Sequence, residues 1–338
     1  MNAMMKEVTC DKIERSLDEE ILRTLLYYDI FNYPLTADEV YRFLGIHCAD
    51  ASSVIAALTR LADRKAIFQF RNFFSVKDSL ASVERRVKGN EVAEKFLNLA
   101  GKQAALISKF PFVRAVLASG SLSKGYMDEK SDLDFFIITA PRRLWIARTL
   151  LVLYKRIFLL NSHKYFCVNY FVDEQHLEIE EKNLFTATEL ATVLPLYGSE
   201  HYTRLHYSNR WLWEYFPNFT PRSVINVLNG VTSGLKNYCE KLLNIFFGNA
   251  IEKFCRRITL SRWERQYQKH YSATDFNIAF KSKSYASKNH PSNFQRTIME
   301  AYESKLRSFG LSDKGVSDAG EFLIQRAEDV LIQSSTGA

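Results

Sequence analysis

The sequence predicts an α+β fold in which helices dominate and strands gather near the middle of the chain. Three observations predict it. Two short apolar runs, Val113 to Ala118 and Phe135 to Thr139, have the length and the branched or aromatic content of buried strands. Amphipathic stretches with helix-capping signatures lie on both sides of them. Of 338 residues, 47% are apolar and 25% charged, with only 13 Gly and 7 Pro, a globular composition with few helix breakers. This length suits two or three domains, read here as 1–80, 81–200 and 201–338.

The first unit is built from short pieces. Ser16-x-x-Glu19 is a capping box opening a helix through Ile21, Leu22, Leu25 and Leu26, and Pro34 stops it. Thr36-x-x-Glu39 opens a second helix through Val40, Phe43 and Leu44. Ser52 or Ser53 starts a third, with Val54, Ile55, Leu58 and Leu61 inward. Ala66 to Val76 alternates around Arg71-Asn72 and predicts a hairpin. Three helices followed by a hairpin resemble a winged helix-turn-helix, which implies a nucleic-acid or protein partner. The third helix offers Thr59, Arg60 and Arg64 against Asp63, and the wing only Arg71. That basic content is thin for a DNA reader and favours protein or intramolecular docking.

A long helix is expected from Ser82 to about Lys109, with Val87, Val92, Phe96, Leu97, Leu99 and Ala100 as core contacts. Arg85, Arg86 and Lys88 near its start are expected on a solvated face rather than on a triphosphate. Pro111 separates this helix from the first central strand. Pro141 opens a helix containing Leu144 to Leu160. Its Arg148, Lys155 and Arg156 exclude a membrane span. Tyr165 to Val172 is the next strand, with Cys167, Asn169 and Phe171 on one face. Phe185 to Leu196 fits a helix with Thr186-x-x-Glu189 as its box. The aromatic stretch Trp211 to Phe216 is expected to pack on the core. From Lys253 to Lys269, six Lys/Arg face Glu264 alone, interleaved with Phe254, Trp263 and Tyr267, and predict an amphipathic surface helix. Lys281 to Lys288 reads as a flexible loop, and the chain from about Gln333 as frayed.

The chemistry concentrates between the two apolar runs. Gly120-Ser121, ten residues, then Asp132-Leu133-Asp134 links their ends. Carboxylates two apart on a strand share a face, where their mutual repulsion invites a cation, and oxygen ligands suit Mg²⁺. Gly-Ser at a strand end lets the backbone approach a ligand and offers N–H groups and a hydroxyl to phosphate. A phosphate grip beside paired acids is equipment for metal-assisted phosphoryl or nucleotidyl transfer. The following loop adds Ser123 and Lys124, the latter able to reach a donor phosphate as a point charge.

This pattern resembles the nucleotidyltransferase superfamily of DNA polymerase beta, including its small bacterial members and the aminoglycoside nucleotidyltransferases. The match is tight over about 110–140 and loose to roughly 200. The resemblance implies a small mixed β-sheet core with flanking helices, two Mg²⁺ ions and an NTP donor. It assigns Gly120 and Ser121 to the phosphates, and Asp132 and Asp134 to the metal and the catalysis. The chain departs from the pattern on the next strand, where members carry a third carboxylate and this sequence has Asn169. An amide oxygen can ligate Mg²⁺ weakly but takes up no proton. Asp173 lies four residues along, about 13 Å away on an ideal strand, and Glu178 and Glu180 are the other acids within reach of a return strand.

The net charge of +7 favours anionic partners such as an NTP or nucleic acid. Five scattered cysteines, with no C-x-x-C pair, read as reduced thiols of a cytoplasmic protein, and the N-terminus has no signal-peptide apolar core. The expected activity is Mg-dependent transfer of a nucleoside monophosphate from an NTP to a hydroxyl or amine acceptor. The alternative is a catalytically weak nucleotide-sensing domain coupled to the winged-helix-like unit. A toxin–antitoxin role, with a protein or tRNA acceptor, is a third possibility supported only by basic charge.

Overall fold

The computed structural model describes residues 17–311, except 49, 161–163, 226, 229–233, 246–247, 268, 270, 272–275, 277–279 and 290–293. Helix and sheet are mixed in it, and the strands form two sheets. The positions expected at Ser16 and beyond Gln333 lie outside the described residues. Among those described, no helix is long and apolar enough to cross a membrane.

Helix α1 (17–29) buries Ile21, Leu25 and Leu26. Strand β1 (Leu35–Thr36) runs into helix α2 (Ala37–Arg42) through a complete capping box between Thr36 and Glu39. Helix α3 (Ala51–Asp63) is capped by Asp50, which accepts from the Ser53 N–H and hydroxyl and from the Ser52 hydroxyl. The two serines are therefore first-turn residues whose hydroxyls serve the true cap. Val54, Leu58 and Leu61 point inward, but Ile55 lies a step round the helix and is exposed. Strands β2 (Phe68–Phe70) and β3 (Phe73–Ser75) form the expected hairpin, with Arg71 in the left-handed region at its turn. The sheet order is β1-β3-β2, antiparallel throughout.

Helix α4 (Leu80–Ile107) is capped by Ser79 and would extend about 42 Å at 1.5 Å per residue. Val92, Phe96, Leu99 and Ala100 pack against the core as expected, but the fully buried face is mostly not aliphatic. It consists of Val83, Arg86, Gly89, Ala93, Ala100, Ala104 and Ile107, while Leu97 is exposed. Small residues allow close approach: a Cβ at Gly89 would sit 2.2 Å from the Tyr126 ring. Arg86 is buried rather than solvated, and pairs with Glu39 at 2.7 Å.

The second sheet has order β7-β4-β5-β6-β8. Strand β4 (Val113–Ser119) and strand β5 (Asp134–Thr139) are antiparallel, joined through the single turn α5 (Gly120–Ser123). Helix α6 (Leu144–Phe158) crosses over to strand β6 (Cys167–Asp173), which is parallel to β5. Helix α7 (Leu184–Thr192) starts from an Asn183 cap, so Thr186 is not its cap. It stops before strand β7 (Leu194–Tyr197), which the expected helix had overrun. Pro195 is tolerated there because β7 is an edge strand.

Helices α8 (Ser199–Ser208), α9 (Leu212–Tyr215), α10 (Gly234–Ile245) and α11 (Gly248–Tyr267) follow. The stretch expected as a loop contains strand β8 (Ala286–Lys288), paired antiparallel with β6. Its small and basic residues carry little strand propensity, and a free sheet edge overrides that. Helix α12 (Phe294–Ser308) closes the described chain.

Side-chain alternation divides the packing. Ala115, Leu117, Phe136 and Ile138 face α1–α3, α7–α9 and α12 in one continuous core. Val116, Ala118, Phe135 and Ile137 face α4, α6 and α11. The aromatic stretch after α8 is core, with Phe216 edge-on to Phe43 at 5.4 Å.

Candidate functional site

Ser119 and Asp134 are paired in the β4–β5 ladder, so the chain turns at Gly120 directly beside the Asp134 carboxylate. Gly120 is left-handed (φ +64), and a Cβ there would lie 2.4 Å from Asp134 Oδ2. Only glycine meets both demands. Gly120→Ala is expected to cost about 1–2 kcal/mol from backbone geometry alone, with further loss from displacing Asp134. Urea unfolding would measure the sum of the two.

Asp134 is held at about pKa 7, well above an ordinary carboxylate. Burial is the main cause, Asp132 and Glu189 add to it, and a Cys167 hydrogen bond and Lys124 oppose it. Oδ1 accepts from Asn169 Nδ2 at 2.7 Å. Asn169 reaches it through a strand irregularity: Phe135 pairs with Val168 and Phe136 with Tyr170, leaving Asn169 as the extra residue. The amide turns its nitrogen to Asp134 and its oxygen to the Cys167 thiol at 3.1 Å. Burial and Asp134 push that thiol up to about 12.

Asp132 stands two residues before the first residue of β5 and is half-buried. Its charge acts on Asp134 and on the buried Lys155 of α6. Among the described residues, no three His, Cys, Asp or Glu side chains converge as a ready metal cage. Mg²⁺ bound with substrate phosphates needs only one or two protein carboxylates. A partly buried carboxylate whose ionisation is opposed first by desolvation and then by Asp132 and Glu189 is one that a cation would stabilise in its charged form.

Lys124 donates to the Gly120 carbonyl at 3.2 Å and to Glu189 Oε1 at 2.8 Å. Ser121 lines the adjoining cavity. Ser123 does not: it is buried, and its hydroxyl donates to the Gly120 carbonyl at 2.8 Å. The structure thus brings Gly120, Ser121, Lys124, Asp134 and Asn169 together and turns Ser123 inward.

The remaining acids are placed elsewhere. Asp173 pairs opposite Thr139, at the far end of the β5–β6 ladder from Asp134, and accepts from the Gln175 N–H while contacting His176. Glu178 pairs with Lys182, and Glu180 with Lys283 and Tyr285. The second carboxylate beside the Gly120 corner is Glu189, which sequence reasoning treated as a capping residue. Its signal was a lone acid in the helical stripe Phe185, Glu189, Val193.

The cavity has a volume of about 350 Å³. Phe136 and Tyr170 stack at 4.9 Å along one wall. Phe31, Phe185 and Phe294, from three distant parts of the chain, close another. No known protein family, curated protein or solved structure matches this chain.

Proposed function

We propose that the chain transfers a nucleoside monophosphate from an NTP to a hydroxyl or amine acceptor, with release of pyrophosphate. The observation that carries this reading is the close approach of the left-handed Gly120 to the half-buried Asp134 carboxylate at the edge of the cavity. Gly120 and Ser121 would receive the donor phosphates. Asp132 and Asp134 would hold Mg²⁺, which supplies charge neutralisation at the reacting phosphoryl group. The mixed five-stranded sheet with flanking helices agrees with the nucleotidyltransferase resemblance.

Glu189 is the group positioned to take the acceptor's proton. Lys124 holds Oε1, and Oε2 has no hydrogen bond among the described residues. As the acceptor oxygen or nitrogen bonds to the α-phosphorus, the bond to the bridging oxygen breaks. Pyrophosphate leaves with that electron pair, and the acceptor proton passes to Glu189. Glu189→Gln is expected to lower kcat by about 10²-fold or more, with little change in NTP affinity.

Asn169 favours a second reading, that of a nucleotide sensor with little turnover. The three helices and hairpin of residues 17–75 would then be its winged-helix output. Their exposed groups include Thr59, Arg64 and Arg71, whereas Arg60 is spent on Asp18 at 2.7 Å. Incubation of the full chain with each labelled NTP and Mg²⁺ separates the readings. Pyrophosphate release supports transfer. Retention of NTP without release supports sensing. If the chain neither releases pyrophosphate nor retains NTP, both readings fail. Duplex binding across a salt series tests the output unit, since phosphate contacts impose a steep slope.

A further inference from the structure

The charged groups around the cavity pair off, with two exceptions. Lys124 is matched to Glu189, and Glu181 to Lys281 at 3.0 Å. Asp134 and Lys288 are left. Lys288 belongs to β8, where it pairs with Tyr170, and Tyr170 in turn pairs with Phe136 on β5. Lys288 therefore lies next to Tyr170 across the sheet and Asp134 two residues before Phe136 along β5, and all four line the cavity.

Lys288 Nζ has one hydrogen-bond partner, Gln295 Oε1 at 3.4 Å, and no carboxylate within ion-pair distance among the described residues. Burial lowers its pKa, Glu181 opposes that, Lys281 adds to it and Glu189 opposes it. A partly buried ammonium that lines a cavity without an ion-pair partner among the described residues leaves hydrogen-bonding capacity that an entering anion would fill. The wall beside it is aromatic and flat, which suits a planar apolar body.

We propose that Lys288 is the anion-recognition residue of this cavity, and that the organic ligand filling it carries a carboxylate or phosphate on a flat apolar body. Calling that ligand the acceptor rests on the transfer reading above. On that reading the acceptor is a small anion and not a polycation. An aminoglycoside-like substrate would meet Lys288 unfavourably.

The test uses two fluorescent probes on the full chain. 8-Anilino-1-naphthalenesulfonate carries an anion on an aromatic body, and N-phenyl-1-naphthylamine is the same body without the anion. In Lys288→Met, affinity for the sulfonate is expected to fall about tenfold, the worth of one charge-assisted hydrogen bond. Affinity for the neutral amine should hold, which also shows that the cavity is intact. Lys288→Arg should restore sulfonate binding.

Unchanged sulfonate affinity in Lys288→Met would overturn the proposal. So would equal loss of both probes, which would mark Lys288 as a structural prop. Displacement of the sulfonate by phenyl phosphate ahead of benzoate identifies the anion as phosphate, and the reverse order as carboxylate. Displacement by neither is a second refutation. None of these readouts uses an NTP. A failure of pyrophosphate release with the Lys288 effect intact would reject the transfer reading alone.

Discussion

Asp134→Ala is expected to reduce pyrophosphate release from NTP by about 10³-fold or more, the scale seen when a preorganised charge-stabilising group is lost, while the protein stays folded. The expectation follows from placement. Asp134 is half-buried against Gly120 and lines the cavity together with Ser121 and Lys124. Asp134→Asn adds a stability readout. The folded value is raised from 3.8 to about 7. Its contribution is therefore fully present below about pH 4 and is lost as pH rises through about 7.

Wild type should lose stability relative to Asp134→Asn across that window, by up to a few kcal/mol at 1.36 kcal/mol per unit. Above pH 7 the gap should stay constant, and Mg²⁺ should narrow it by compensating the ionised carboxylate. Thermal melts at pH 4, 6 and 8, with and without Mg²⁺, measure all of this. Wild-type turnover in the alanine variant would remove Asp134 from the reaction. A pH-independent gap would contradict its half-buried, protonated state.

The second large effect is on folding. Arg86→Ala should cost about 2 kcal/mol, the scale for losing hydrogen bonds to a charged group, since Glu39 keeps some solvent contact when left alone. Arg86 Nη2 meets Glu39 Oε1 at 2.7 Å, Nε meets Asn90 at 2.7 Å, and Nη1 reaches the Pro34 carbonyl at 3.2 Å. The guanidinium lies 3.6 Å from the Tyr33 ring centre. Glu39 also completes the α2 capping box, accepting from the Thr36 N–H at 2.9 Å. One deletion thus loosens α4, the Pro34 turn and the start of α2 together.

Arg86→Lys should rescue little, since an ammonium cannot reproduce the planar fork. Equilibrium urea unfolding gives the number, and a loss below about 1 kcal/mol would refute a structural role of this weight. Ligand affinity should weaken in the same variant. Tyr33 donates to the Lys124 carbonyl, and Phe31 lines the cavity, so the first unit helps shape the site.

Part of the site was legible because it is local. Gly120, Ser121 and Asp134 lie on one strand–turn–strand, where apolar runs announce the strands and glycine announces the turn. The Thr36–Glu39 box and the Arg71 turn were legible for the same reason. Asn169 was flagged as an anomaly, but its hydrogen bond to Asp134 depends on an irregularity between two parallel strands, which no spacing rule displays. The inward face of α4 was legible in part: Val92, Phe96, Leu99 and Ala100 pack on the core as expected, but the closest contacts follow shape rather than apolarity. Gly89 and Ala93 are buried where neighbouring structure comes close, and Leu97 is left outside.

Glu189 and Lys288 were missed as cavity residues for a stronger reason. One was read as half of a capping box, the other as the end of a loop. What makes each notable is a partner far along the chain: Lys124 for Glu189, and Tyr170 across the sheet for Lys288.

The sequence by itself determined the order of the central elements and the corner where Gly120 meets Asp134. Those features depend on backbone freedom, side-chain alternation and apolar periodicity, all of which act over a few residues. Only the tertiary structure decided which charges are buried, which are matched, and what encloses the cavity. Burial and ion pairing are sums over neighbours in space, and here those neighbours come from Phe31 at one end of the described chain and Phe294 near the other.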